Sequence, residues 1–334
     1  MSENKLILRE TDYFQRGFKY REKLNEYMQQ NLDVLIEKFL VQFEQYCRKI
    51  TLLQEKGKKN AIGFINFSVL RTNILARRHI IRLDAYDENW YADRVECSGE
   101  YDVLEIYIWL EKFADSLEAT AKSYSQSILG DIQRAVFEES NNYLLIVAEL
   151  VRMGLKKAAK MKWFQQIKRN ELFVICIGGF QDKSDILYIE DTTAKDARSI
   201  KRHLEEKLPV YTHEICNGLD LSGGDYKNIH LLYSNFSGCD FSGSNFNKAV
   251  ILFSDFKHTD MSNVVFENSE VIDTDFGGAK LENVSFQGAM LRNISFAGAR
   301  LINVKFEGAI LAEQLDFGQA ALVDTVIPEK QVSR

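Results

Sequence analysis

The sequence predicts two unlike parts: an α+β domain over residues 1–215 and, over 216–328, a coil that turns every five residues, with a short tail at 329–334. Three observations carry this reading. From Leu221 to Leu311 every fifth residue is large and apolar, nineteen in succession, a period that fits neither a helix at 3.6 nor a strand at 2. Ahead of that series the apolar positions keep helical spacing in some stretches and alternate in others, without repetition. The charge is also uneven. Residues 1–215 hold 33 Lys and Arg against 33 Asp and Glu, whereas 216–316 hold 7 against 13, so the net charge of −6 sits in the second part.

Residues 12–55 read as one long helix or two, with Leu32, Leu35, Ile36, Phe39, Leu40 and Phe43 at helical spacing, ended by Gly57-Lys58-Lys59-Asn60. Ile62–Ile74 and Arg78–Ala85 alternate, are rich in β-branched residues, and predict a hairpin. Residues 102–129 and 131–168 predict two helices broken at Gly130-Asp131. Leu172–Ile177 and Asp185–Ile189 predict a second hairpin around Gly178-Gly179. Thr193–Leu208 predicts a helix capped by Thr192 or Thr193, with Pro209 after it. Long helices with a small antiparallel sheet make an α+β domain, and nothing in it points to a family.

In the second part the series runs through Tyr226, Leu231, Phe236, Phe241 and onward at the same spacing. Two residues before each large one sits a small or modest side chain, such as Ser234, Cys239, Ala249 or Ala279. Two residues of each five therefore point inward and three outward. A one-residue slip follows Leu311, and the series resumes at Phe317, Leu322 and Ile327. From about 219 to 327 the pattern resembles the pentapeptide-repeat family. The resemblance implies a right-handed quadrilateral β-helix with four pentapeptides per coil, hence five to six coils. Phe246, Phe266, Phe286 and Phe306 would then stack on one side and Phe236, Phe256, Phe276 and Phe296 on the opposite one, with aliphatic residues on the other two. Alternating large and small inward residues fill a narrow core, and Asn or Gly, as at Asn283 and Gly288, suits the corners. The family is most abundant in bacteria, which implies a bacterial cytoplasmic protein.

With 46% hydrophobic and 27% charged residues the chain is not disordered. No uncharged apolar stretch approaches ~18 residues, so no transmembrane segment is expected. Met1–Arg9 lacks the features of a secretory signal. Cys47, Cys97, Cys176, Cys216 and Cys239 are odd in number and form no C-x-x-C pair, which favours free thiols in a reducing compartment over disulfides or a zinc site. His79, His203, His213, His230 and His258 show no ligand spacing, and no phosphate-binding glycine motif or G-x-S-x-G is present. The expectation is a protein without catalytic, cofactor-binding or metal residues: a non-enzymatic interaction or scaffold protein. The alternative is an unrecognised enzyme or ligand-binding module in the first domain.

Three surfaces are candidates for contact. The side built on Leu231, Ile251, Val271, Leu291 and Leu311 carries outward Leu232, Tyr233, Val250, Leu252, Phe253, Ile272, Met290 and Ile310. Such a stripe should not face water; it packs against the first domain, or meets a partner protein or a second copy in a homodimer. Asp225, Asp240, Asp255, Asp260 and Asp275 are spaced by multiples of five and could form acidic ladders. Here the family resemblance implies a DNA-mimic modulator of DNA gyrase or another type II topoisomerase, although the 215-residue first part departs from those nearly all-β-helix proteins. Finally, Arg152, Lys156, Lys157, Lys160 and Lys162 belong to a basic run reaching Arg169 with apolar residues interleaved. As an amphipathic helix it would meet nucleic acid, an anionic membrane or an acidic partner, or be a solvated face near a helix C-terminus. The eight carboxylates between Asp93 and Glu118 follow no ligand spacing and read as a solvated face.

Overall fold

A computed structural model of the protein describes residues 10–121, 129–180 and 184–327. The chain divides into two compact units, Met1–Thr192 and Thr193–Arg334.

In the first unit, α1 (Glu10–Glu55) is a single helix of 46 residues. Its buried side chains, Leu35, Ile36, Phe39, Leu40, Phe43 and Cys47 among them, recur at three and four, the spacing of one helical face. The helix stops at Gly57, where φ is +63° and the Lys58 N–H returns to the Leu53 carbonyl at 2.9 Å, a left-handed cap that glycine adopts at little cost. Strands β1 (Ile62–Val69), β2 (Ile80–Tyr86), β3 (Ser98–Asp102), β4 (Arg169–Gly179) and β5 (Ser184–Asp191) form one sheet in the order β3-β2-β1-β4-β5. Its pairs are antiparallel except β1 with β4, which run parallel with Ile65 beside Ile175. α1, α3 (Leu104–Ala121) and α4 (Leu129–Ala158) pack on one another and share one core with the sheet. At its centre Phe39 and Phe43 stack at 5.2 Å, with Phe67 of β1 5.9 Å from Phe43 and Tyr101 of β3 edge-on to Phe39 at 5.5 Å. α4 comes this close because Gly154 has no side chain: a Cβ there would stand 2.2 Å from the Phe39 ring.

Several boundaries differ from those expected. The first predicted strand stops at Val69, and α2 (Arg71–Leu75) is a single helical turn, closed by the Ile74 N–H on the Leu70 carbonyl and tied to β2 by the Asn73 amide on the Ile80 carbonyl. Gly178 and Gly179 are not a turn; they extend β4 beside Ser68 and Val69, and Gly178 also pairs with Ser184. Gly130 and Asp131 lie inside α4, while the stretch that separates α3 from α4, 122–128, lies outside the described residues. The helix expected to reach residue 168 ends at Ala158. Met161 is extended, α5 (Lys162–Gln165) adds one turn, and Phe164 is thereby delivered into the core, 5.9 Å from Phe43. β3 is absent from the sequence reading. It carries one buried side chain, Tyr101, and its Gly99 leaves room for Tyr46 of α1, whose ring carbon lies 2.4 Å from where a Cβ would be.

The second unit opens with α6 (Ala197–Glu205), capped by Asp196 accepting from the Ser199 N–H at 2.9 Å rather than by Thr192 or Thr193. Leu204 is buried and joins the core of the coils that follow. Those coils start at β6 (Tyr211–Thr212), ahead of the repeat boundary read from the sequence, because Tyr211 and Cys216 already occupy inward positions. α6 thus belongs to the second compact unit, whose first residue is Thr193.

Each residue of a coil sits beside the one 20 positions on, as in the run Asn235, Asp255, Asp275, Ser295. One side is a six-stranded parallel sheet of β6, β7 (His230–Leu232), β8 (Val250–Leu252), β9 (Glu270–Ile272), β11 (Met290–Ser295) and β13 (Ile310–Asp316). The opposite side has β10 (Lys280–Glu282), β12 (Arg300–Ile302) and β14 (Ala321–Val323). The two expected phenylalanine ladders are present. Phe246, Phe266, Phe286 and Phe306 stack at 5.1, 4.9 and 5.4 Å. Phe236, Phe256, Phe276 and Phe296 stack at 5.3, 5.5 and 5.5 Å, and Phe317 continues them at 5.2 Å. The ladders meet edge to face, Phe266 lying 6.1 Å from Phe276. At the top of one ladder Tyr226 takes the place of Phe; its hydroxyl donates to the Leu221 carbonyl at 2.8 Å, and its ring fills the space a side chain at Gly224 would need. The slip after Leu311 is a bulge: Arg292 faces Ala312, but Ile294 faces Leu315.

Candidate functional site

The six-stranded side exposes two rows of side chains and one corner. One row is Thr212, Leu232, Leu252, Ile272, Arg292 and Ala312; the other is His230, Val250, Glu270, Met290 and Ile310. The predicted apolar residues therefore fall into two groups. Leu232, Leu252 and Ile272 are consecutive rungs flanked by Val250, whereas Met290 and Ile310 form a separate pair beyond Glu270. Ile272 is buried; Phe253, Met290 and Ile310 are 39%, 39% and 44% exposed.

The corner beside the first group is unlike the others. Its residues all take positive φ, which Asn, Asp and Gly tolerate and bulky side chains rarely adopt. Elsewhere this position mostly holds Asn or Gly, as at Asn263, Asn283, Gly288 and Asn303, with Lys248 and His258 as bulkier exceptions. Here it holds His213, Tyr233 and Phe253, at φ of 59°, 53° and 54°. The three rings stack on the outside of the coil, His213 on Tyr233 at 5.3 Å and Tyr233 on Phe253 at 5.0 Å. Placing an aromatic in this conformation costs about 1–3 kcal/mol, and a stacked pair returns about 0.5–1.5 kcal/mol. The aromatic corner is thus not the cheapest sequence for the fold. The signal was in the sequence, since Tyr233 and Phe253 are aromatic where the repeat elsewhere has mostly Asn or Gly, with Lys248, His258 and Asp273 among the exceptions, but their stacking needed the coil.

The five aspartates do not form one ladder. Asp240 and Asp260 share a row with Asp220; Asp255 and Asp275 share another; Asp225 heads a third, above Asn245. Each serves its own turn first: Asp240, Asp260 and Asp275 accept the backbone N–H of Ser242, Ser262 and Gly277 at 2.8, 2.9 and 2.8 Å. Several are also paired with lysines. Lys257 bridges Asp255 and Asp275 at 2.7 and 2.9 Å, Lys280 meets Asp260 at 3.2 Å, and Lys207 meets Asp225 at 2.8 Å. The row of Asp220, Asp240 and Asp260 ends in Lys280 and Arg300.

The basic run is not one helical face. Arg152, on α4, pairs with Glu149 and donates to the Ile186 carbonyl. Lys156 and Lys157 are exposed in the last turn of α4, where positive charge suits the helix end. Lys160 lies in the turn after α4, Lys162 starts α5, and Arg169 enters β4, where it pairs with Glu190 and lies 4.2 Å over the Phe164 ring. The acidic stretch is likewise divided: Asp93 is buried against Lys59, while Asp115 and Glu118 hold Arg77. All five cysteines are free and buried, and burial pushes the Cys239 thiol up to about 11 and Cys176 up to about 12. No described helix is long and apolar enough to cross a membrane.

Residues 229–306 match the model of the pentapeptide repeat region, and the match touches none of the first unit. No curated protein matches the chain. Among solved structures, it is similar to the pentapeptide repeat protein Rfr23 from the cyanobacterium Cyanothece 51142, at 20% identity over 33% of this chain and 86% of that one, with a TM-score of 0.27. HetL, a pentapeptide repeat protein involved in heterocyst differentiation regulation in Nostoc sp. strain PCC 7120, is 20% identical over 32% of this chain and 48% of its own, with a TM-score of 0.23. QnrB1, a plasmid-mediated fluoroquinolone resistance protein, is 20% identical over 33% and 67%, with a TM-score of 0.25. The family match over residues 229–306, together with inward pairs at a five-residue period and coils of 20 residues, makes the coiled part of the second unit, after α6, a pentapeptide-repeat β-helix.

Proposed function

We propose that this is a non-enzymatic interaction protein whose β-helix docks another protein along the apolar rows and aromatic corner formed by Leu232, Tyr233, Leu252 and Phe253. The observation that supports it is the aromatic corner itself: stacked rings held at positive φ on the outside of the coil, where Asn or Gly would serve the fold better. A rigid strip of this kind loses little conformational entropy on binding, and aromatic anchors dominate protein interfaces.

The test compares tagged full-length protein with the double variant Tyr233→Asn, Phe253→Asn. Asparagine suits the backbone at both corners, so the variant keeps its fold. A stoichiometric partner, or a second copy seen by light scattering, that is retained by the wild type and lost by the variant supports the reading. Association unchanged in the folded variant would refute it. A role as a topoisomerase modulator acting through the aspartates predicts a different pattern. Purified gyrase would respond to the protein, the response would survive the corner variant, and Asp240→Asn with Asp260→Asn would abolish it.

A further inference from the structure

The rows of the six-stranded face complement themselves, and on the docking reading above this identifies what covers them. The face is apolar at its middle, with Val250 and Leu252 on one rung and Leu232 and Ile272 on the rungs to either side. The one carboxylate in the two rows, Glu270, is exposed two rungs from the exposed His230, and neither has an ion pair among the described residues. An unpaired charge beside an apolar strip opposes burial of that strip unless the covering surface supplies a polar partner.

We infer that the partner is a second copy of this chain, packed on this face about a two-fold axis that runs along the strands through the rung of Val250 and Leu252. Such an axis opposes the two rods and lays each row on the same row read in reverse. Val250 and Leu252 then meet their own copies, and Leu232 lies over the rung of Ile272. His230 comes opposite Glu270, whose carboxylate can accept from an imidazole N–H without the ring being charged. One rung farther, Arg292 faces Thr212, and Met290 faces Val210, the exposed residue before Tyr211. On the corner Phe253 meets its own copy and Tyr233 comes opposite Asp273, again a donor against a carboxylate. Other registers that overlap five rungs or more fit worse. Shifting the axis by half a rung sets Glu270 on Val250, and shifting it by a whole rung sets Glu270 on its own copy. An axis along the rod instead lays Glu270 on Ile272. Only the first register leaves no like charges opposed and no carboxylate against an apolar side chain.

Five rungs at ~4.8 Å, two rows wide, make a small contact, so full-length protein should show a dimer of micromolar dissociation constant in sedimentation velocity. His230→Glu sets two carboxylates against each other on each side of the axis and should weaken the dimer at least about tenfold. Adding Glu270→Arg restores opposite charges and should recover it. Both positions are exposed, so these variants keep their fold. Introduced cysteines read the register, since the native ones are all buried. Sheets packed face to face stand ~10 Å apart, so Leu252→Cys should be joined to its own copy by a bismaleimide of about that reach. Met290→Cys, four rungs or ~19 Å from its own copy, should not be. A dimer indifferent to His230→Glu, one that the double variant fails to recover, or cross-linking of Met290→Cys but not Leu252→Cys would each overturn the inference. So would wild-type protein that stays monomeric at ~500 µM. A monomer that captures a foreign protein, lost in the Tyr233→Asn, Phe253→Asn variant, would overturn the second copy and keep the docking reading; a monomer that captures none would overturn both.

Discussion

Phe266→Ala tests how the β-helix core is held together. Phe266 is fully buried, stacked on Phe246 at 5.1 Å and on Phe286 at 4.9 Å, and edge-on to Phe276 at 6.1 Å. Truncating a buried Phe costs about 3–5 kcal/mol, more where the surroundings cannot close on the void. Here they cannot: the coils above and below are tied by backbone bonds such as Phe246 N–H to the Val265 carbonyl and Phe266 N–H to the Ser285 carbonyl, both 2.7 Å. The upper half of the range, about 4–5 kcal/mol, is therefore expected. Phe317 is the matched comparison. Among the described residues it is the last of its ladder, is only half-buried, and stacks on a single ring, Phe296, at 5.2 Å, so Phe317→Ala should cost about 1–2 kcal/mol. Urea unfolding followed by far-UV circular dichroism measures both. All three tryptophans, Trp90, Trp109 and Trp163, lie in the first unit, so fluorescence recorded in parallel reads that unit and should stay as in the wild type. A loss below about 2 kcal/mol for Phe266→Ala, or no difference between the two variants, would refute the account of stacked coils with unyielding spacing.

Other expectations concern the first unit and the corner. Asp93→Asn leaves the Lys59 ammonium, 1% exposed, buried without its carboxylate, and should cost about 3–5 kcal/mol in denaturant unfolding. Burial alone would raise the Asp93 pKa, but hydrogen bonds from Lys59 and from the Val95 and Asp87 N–H groups outweigh it and hold the pKa below its ordinary value. The stability this carboxylate contributes is therefore complete above the unfolded carboxyl pKa near ~3.9 and drains away as pH falls through the lower folded value, so the variant should lose the acid limb of the wild-type pH profile in that window. Gly154→Ala, favourable for a helix in isolation, should destabilise by about 1–3 kcal/mol, because the new methyl meets the Phe39 ring at 2.2 Å; a neutral thermal melt would contradict the packing described. Phe253→Asn exchanges a strained aromatic for a residue at ease with φ of 54° and forfeits one stacked pair, so its stability should stay within about 1 kcal/mol of the wild type in the same melt.

The β-helix was legible in the sequence because each coil repeats one local rule. A large residue at every fifth position and a small one two before it specify the inward pairs, and parallel stacking at 20 residues then follows for the whole rod. Even the bulge was visible as a slip after Leu311. The same periodicity places Tyr211 and Cys216 one coil earlier, but Cys216 is small where the series is large and so interrupts it. In the first unit the helices announced themselves by spacing, whereas the sheet order did not. The parallel pairing of β1 with β4 joins residues more than 100 positions apart, a choice made by burial of both strands rather than by any local propensity. The end of α4 at Ala158 was decided likewise, by the need to bring Phe164 beside Phe43, and Gly154 carries meaning only because Phe39 lies across it.

The surfaces divide in the same way. Sequence alone determined which residues of the coil face outward, and so found Leu232, Tyr233, Leu252 and Phe253. It could not assign charges to partners, because Lys257 between Asp255 and Asp275, or Arg169 on Glu190, is paired by a neighbour in the next coil or the adjacent strand. Nor could it single out Tyr107. A tyrosine on an apolar helix face reads as core, and only the tertiary packing around α3 leaves its hydroxyl buried with no partner among the described residues. Local rules repeated along the chain are written in the chain; unmet hydrogen bonds and matched charges exist only once distant segments meet.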